Sequence, residues 1–251
     1  MKKGYTHIAI VLDRSGSMAS MTKDVIGGFN TLIKDQQTVE GEATLSMAQF
    51  DDIYEVLHDF APIKDVSELT SKTFVPRGST ALLDAMGRTM EEVREKILNM
   101  KDKDQPSKVI FVFITDGEEN ASSKYDRPKI FQMIKDLKSD EREDEVNWEF
   151  VFIGANQDAI QAGSSIGIQR AASLSFAASG AGADLAFKSL SKGLTSYRTV
   201  CDSYAFDDSD RKEMDDLITG KKSNKYPKGV IPTSIPDLDD GIVKVDDTSK
   251  T

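Results

Sequence analysis

Residues that build many enzyme sites are scarce in this chain. It has one cysteine, Cys201, two histidines, His7 and His58, and one tryptophan. A lone cysteine closes no intramolecular disulfide, so a reducing compartment and a cytoplasmic location are expected. The two histidines lie far apart in strand-like segments and read as structural, with no Ser-His-Asp arrangement around them. Cys201 has no histidine in matching context and reads as a small buried residue, not a nucleophile. No apolar run is long enough to span a bilayer, and the short run behind Met1-Lys2-Lys3 is broken by Asp13, which makes a poor signal peptide. Positive charge is in deficit, with 32 Lys and Arg against 42 Asp and Glu. Phosphate backbones would be repelled, which argues against nucleic acid as the main ligand. There is no G-x-x-x-x-G-K-[ST] loop for nucleotide hydrolysis. Gly180-Ala181-Gly182 lacks the third glycine and the strong preceding strand of a dinucleotide fingerprint.

What is present is a regular alternation of strand and helix signals. The 251 residues suit one α/β domain with an appendage. Residues 6–12 are continuously apolar, as in a strand buried on both faces. Val25, Ile26, Phe29, Leu32 and Ile33 give one apolar helix face over about 21–38. Residues 43–50 and 53–60 flank Asp51-Asp52 and predict a hairpin, so one edge strand runs antiparallel. A loop over 61–80 leads into a helix carrying Leu82, Leu83, Met86, Met90, Val93 and Ile97, with Ser79 or Thr80 as its expected cap. Val109–Ile114 is the strongest strand signal. Asp126 and Pro128 mark the start of another helix. A strand over 148–154, a short helix near 158–165, a weak strand near 171–176 and a helix from 183 to about 202 complete the pattern. Asn156, Gln157 and Asp158 fall at the same sheet edge, where an ordinary helix cap accounts for Asp158. Beyond 205, proline and mixed charge clusters replace periodicity, which predicts an extended or partly disordered tail over 205–251, with one helical piece at 209–219.

Such alternation implies a doubly wound, mostly parallel sheet with helices on both faces. Ligands bind at the C-terminal edge of parallel strands. Three segments end there: Asp13, Ser15 and Ser17 behind the first strand, Thr80 at the head of a helix, and Asp116 behind the strongest strand. Two carboxylates balance a divalent charge, and three hydroxyls supply neutral hard-oxygen ligands, a set suited to Mg²⁺ or Mn²⁺ rather than zinc. A plain strand end followed by a helix cap would explain the first loop but not Thr80 and Asp116.

The D-x-S-G-S loop (Asp13, Ser15, Gly16, Ser17), the Gly78-Ser79-Thr80 segment and Thr115-Asp116-Gly117, in this order, resemble the von Willebrand factor A domain family, bacterial or phage type. The resemblance covers about residues 5–202. It implies a Rossmann-like fold over 1–204 and a metal-ion-dependent adhesion site, with Mg²⁺ as the expected ion and Mn²⁺ or Ca²⁺ as substitutes. Asp13, Ser15 and Ser17 would ligate directly or through water, Thr80 directly in one state, and Asp116 often through water. A partner protein's Glu or Asp would supply the last ligand, and in some members the final helix moves as coordination switches. A metal-dependent protein-binding module is the function implied. A metal-dependent hydrolase or phosphate-binding enzyme, and a structural component of a larger assembly, are the alternatives. Arg14 and Arg77, inside two of the loops, are candidates to attract an acidic partner. Glu118, Glu119 and Asn120 read as surface residues at a loop start, able at most to enrich cations.

Overall fold

The computed structural model describes residues 1–139, 145–155 and 158–221. Asn156, Gln157 and the segment 222–251 lie outside the described residues, and so does most of the expected tail. A six-stranded sheet forms the centre, in the order β3-β2-β1-β4-β5-β6. Its strands are β1 (Lys2–Asp13), β2 (Glu42–Phe50), β3 (Tyr54–Pro62), β4 (Pro106–Thr115), β5 (Asn147–Ala155) and β6 (Ser173–Phe176). Five run parallel, and β3 at the edge is antiparallel to β2, as the acidic Asp51-Asp52 turn predicts. From Tyr5 to Asp13, and from Val109 to Thr115, every residue is buried. These two neighbours are the middle of a sheet covered on both faces, which is why their sequences are continuously apolar and do not alternate.

The helices are α1 (Thr22–Thr38), α2 (Leu82–Leu98), α3 (Arg127–Leu137), α4 (Ala159–Ser165), α5 (Gly180–Thr199) and α6 (Asp208–Ile218). α1 packs against α5, and α2 against α3. The first pair approaches closely at Gly28, where a methyl carbon would stand 2.4 Å from the Phe187 ring. Asp126 caps α3 by accepting from Lys129 N–H at 2.9 Å, with Pro128 in the first turn. Asp158 likewise caps α4.

Three local expectations change. α5 begins at Gly180 rather than near 183, because the Ser179 side chain accepts from Gly182 N–H and caps the helix among the glycines. Neither Ser79 nor Thr80 caps α2. Its N-cap is Ala81, which offers no side chain for the purpose. The helical piece expected inside the tail exists as α6, and it packs on α5 and β6 with Met214 buried, preceded by the buried rings of Tyr204 and Phe206. The compact unit therefore extends to Lys221, past the expected domain end at 204.

Candidate metal centre

β1 and β4 are parallel neighbours, so their last residues leave the sheet side by side. Asp13 ends β1, and Thr115 ends β4 with Asp116 directly after it. Thr115 Oγ1 donates to Asp13 Oδ2 at 2.6 Å, and the Ser15 backbone N–H donates to Asp13 Oδ1 at 2.6 Å. Both carboxylate oxygens of Asp13 are thereby fixed in orientation. Ser17 Oγ donates to Asp116 Oδ1 at 2.6 Å and lies 3.0 Å from Ser15 Oγ.

Gly117 locates Thr80 relative to these groups. A methyl carbon placed on Gly117 would stand 3.1 Å from Thr80 Oγ1, 3.6 Å from Ser17 Oγ and 3.8 Å from Ser15 Oγ. The three hydroxyls thus surround one small space beside Asp116, left open because residue 117 has no side chain. All five residues named from the sequence meet here, although Ser17 and Asp116 are 99 positions apart.

The electrostatics of the cluster favour a cation. Asp13 is 0% exposed and Asp116 8% exposed. Among the described residues no Lys, Arg or His forms an ion pair with either. Burial pushes the Asp13 carboxyl up to about 6, with the charge of Asp116 adding to it, while the bonds from Thr115 and Ser15 oppose the rise. Burial also raises Asp116, against the hydrogen bond from Ser17. Two buried carboxylates without a basic partner are costly, and a divalent ion would neutralise both. Among the described residues no three or more His, Cys, Asp and Glu side chains cluster as metal ligands. Any ligand set at this edge therefore needs the hydroxyls, and two carboxylates with three hydroxyls are hard-oxygen donors that fit Mg²⁺, Mn²⁺ or Ca²⁺.

The arginines of these loops do something other than expected. Arg14 is buried at 3% exposure, so it is not a surface residue awaiting a partner. Its Nε donates to Asp51 Oδ2 at 3.0 Å, and its Nη1 pairs with Glu55. Arg77 Nε donates to the same Asp51 oxygen at 2.8 Å, with about half of its side chain at the surface. Burial alone would raise the Asp51 carboxyl. Arg77, the Ile53 N–H and Arg14 outweigh it and hold Asp51 below the usual carboxylate range. The Asp51 carbonyl also accepts from Ala81 N–H, so the β2–β3 turn ties the first metal loop to the segment bearing Thr80. From the sequence Asp51 reads only as a turn residue, and Thr115 only as the end of its strand. The Asp-Asp turn itself was visible, but its partners were not.

His7 and His58 are away from this cluster. His7 is fully buried, stacked on Phe60 with ring centroids 3.7 Å apart, and burial lowers it to about 3. His58 is partly buried beside Ser67. Neither is arranged for catalysis.

No protein-family model and no curated protein matches the chain. Solved structures do. The D319A mutant of the PilB minor pilin from Streptococcus sanguinis shares 11% identity, with a TM-score of 0.54 over 78% of this chain and 62% of that one. Proximal thread matrix protein 1 from the mussel byssus shares 15% identity, with a TM-score of 0.51 over 75% of this chain and 46% of that one. The vWF domain of the type V pili tip protein Mfa5 from Porphyromonas gingivalis shares 12% identity, with a TM-score of 0.50 over 75% of this chain and 94% of that one. This chain thus spans less than half of the mussel protein and under two thirds of the pilin. Strand order and the likeness to these structures together define a doubly wound, mostly parallel α/β domain. More narrowly, the chain has the von Willebrand factor A fold.

Proposed function

We propose that this protein is a metal-dependent protein-binding module. A divalent cation, Mg²⁺ in the first instance, is held by Asp13, Ser15, Ser17, Thr80 and Asp116, and its remaining position takes a Glu or Asp side chain of a partner protein. The observation that carries this reading is the convergence of three hydroxyls on the space at Gly117, beside two buried carboxylates with no basic partner among the described residues. A solved structure of the mussel byssus protein, at 16% identity and a TM-score of 0.50, is described with a zinc-occupied MIDAS motif, which supports cation binding at this edge of the fold.

A binding role is favoured over catalysis by the hydrogen bonding. Both Asp13 oxygens accept internal hydrogen bonds and Asp116 Oδ1 accepts from Ser17, so the protein itself orients these carboxylates, as holding an ion requires, and neither histidine stands beside them as a base. The lone, unpaired Cys201 supports a cytoplasmic setting. The test is affinity capture from source lysate with Mg²⁺ or with EDTA, comparing wild type with Asp13→Ala. One partner recovered with Mg²⁺, and lost with EDTA and in the variant, is the expected result. Equal recovery in every arm refutes the bridging mechanism. Phosphate-ester turnover that disappears in Asp13→Ala would establish the enzyme alternative instead.

A further inference from the structure

The start of α2 has no cap of its own. Ala81 is its N-cap residue and no side chain of that segment takes the free N–H groups. Two of those groups, on Leu83 and Asp84, are nevertheless satisfied from the loop that follows Asp116. Glu119 Oε2 accepts from Leu83 N–H at 2.9 Å, and Ser122 Oγ accepts from Asp84 N–H at 3.0 Å. Glu119 is itself held by the N–H groups of Ala121 and Ser122. The loop thus caps α2 in trans, and the Thr80 hydroxyl is released from the capping task that its position suggests.

Asn120 grips Thr80 directly. Its Oδ1 accepts from Thr80 N–H at 2.9 Å, and its own N–H donates to the Thr80 carbonyl at 3.1 Å, joined there by Ala121 N–H at 3.2 Å. Both backbone polar groups of Thr80 are therefore taken by residues four and five positions beyond Asp116. The Thr80 hydroxyl is left facing Gly117.

We infer that Asn120 is a positioning residue of the metal centre: by clamping the Thr80 backbone it fixes the Thr80 hydroxyl relative to Asp116, so that the second and third metal loops act as one unit. Asn120 is exposed and adds no apolar area to the core, so its replacement leaves the fold standing while it frees the Thr80 backbone. The inference rests on the metal-binding reading of Asp13, Ser15, Ser17, Thr80 and Asp116.

The test is calorimetric titration of the full chain with Mn²⁺, using wild type, Thr80→Ala, Asn120→Ala and Asn120→Asp, alongside amide exchange at Thr80 in EDTA. Asn120→Asp keeps an oxygen acceptor of the same shape for Thr80 N–H. The expected result is about tenfold weaker Mn²⁺ binding in Asn120→Ala, the scale seen when groups that orient metal ligands are removed. Thr80→Ala weakens it comparably, and Asn120→Asp stays close to wild type. Without metal, the Thr80 amide exchanges faster in Asn120→Ala and not in Asn120→Asp, and the melting temperature of Asn120→Ala falls by no more than a few degrees, as loss of one partly buried hydrogen bond allows. Wild-type affinity in Asn120→Ala overturns the inference and leaves the metal centre standing. Weakened binding in Asn120→Ala with none in Thr80→Ala overturns it too, because Asn120 would then act elsewhere. A wild type that takes up no Mn²⁺ removes the metal reading and this inference together.

Discussion

Replacing Asp13 by Asn should stabilise the metal-free protein while destroying its metal binding. Asp13 is wholly buried, and its carboxyl is raised from an ordinary 3.8 to about 6. The folded chain therefore holds this proton more tightly than the unfolded chain does. Its contribution to stability is complete below about pH 4 and is lost as the pH rises through about 6. At pH 7 the ionised group costs about two pKa units, or roughly 3 kcal/mol at 1.36 kcal/mol per unit, as an upper value. Asn is isosteric and uncharged. Its Oδ1 still accepts from Ser15 N–H, and the Thr115 hydroxyl, 3.2 Å from the Gly117 carbonyl, has another acceptor within reach. Urea unfolding in EDTA should therefore find Asp13→Asn more stable than wild type at pH 7 by roughly 1–3 kcal/mol, the gap closing near pH 4. The same proton competes with metal, so wild-type Mg²⁺ affinity should fall about tenfold between pH 7 and pH 5. Asp13→Asn less stable than wild type at pH 7, or a gap unchanged down to pH 4, would refute the account of an uncompensated buried charge.

Other consequences are measurable with simple probes. Mg²⁺ at a hundred times its Kd should add about 2.7 kcal/mol to stability, a rise of roughly 5–10 °C in melting temperature for a domain of this size. Ser15→Ala/Ser17→Ala should abolish that rise, and an equal rise in this variant would exclude the two serines as ligands. Gly117→Ala puts a methyl carbon 3.1 Å from Thr80 Oγ1. Calorimetry should show weakened Mn²⁺ binding with little change in melting temperature, and unimpaired binding would mean that the ion sits elsewhere. Asp51→Ala strips the buried Arg14 guanidinium of its main partner and should cost about 3 kcal/mol or more in urea unfolding. A loss below about 1 kcal/mol would show that Glu55 suffices.

The elements and the five candidate ligands were legible because their signals are local. A parallel strand covered on both faces must be apolar at every position, and residues 6–12 and 109–114 are. The hairpin was legible from two β-capable runs separated by two acids, and α3 from Asp126 and Pro128. Misreadings arose wherever a side chain's partner lies far along the chain. Arg14 sits in a loop of small polar residues, and nothing adjacent to it announces that Asp51, 37 positions on, will bury it. Thr80 stands where a helix cap belongs, yet Glu119 and Ser122 do the capping. α6 has one apolar face, but only its contact with α5 and β6 makes it part of the domain.

By itself, then, the sequence determined that this protein is a mostly parallel α/β domain with hard-oxygen side chains at three strand and helix ends. Burial periodicity and turn chemistry act over a few residues and are written where they act. The tertiary structure decided which of those ends meet. The order β2-β1-β4 sets Asp13 against Thr115, brings Ser17 to Asp116, and lets the loop after Asp116 close over the start of α2. Strand order is a property of how the whole sheet buries its faces, so no short stretch of residues can encode it.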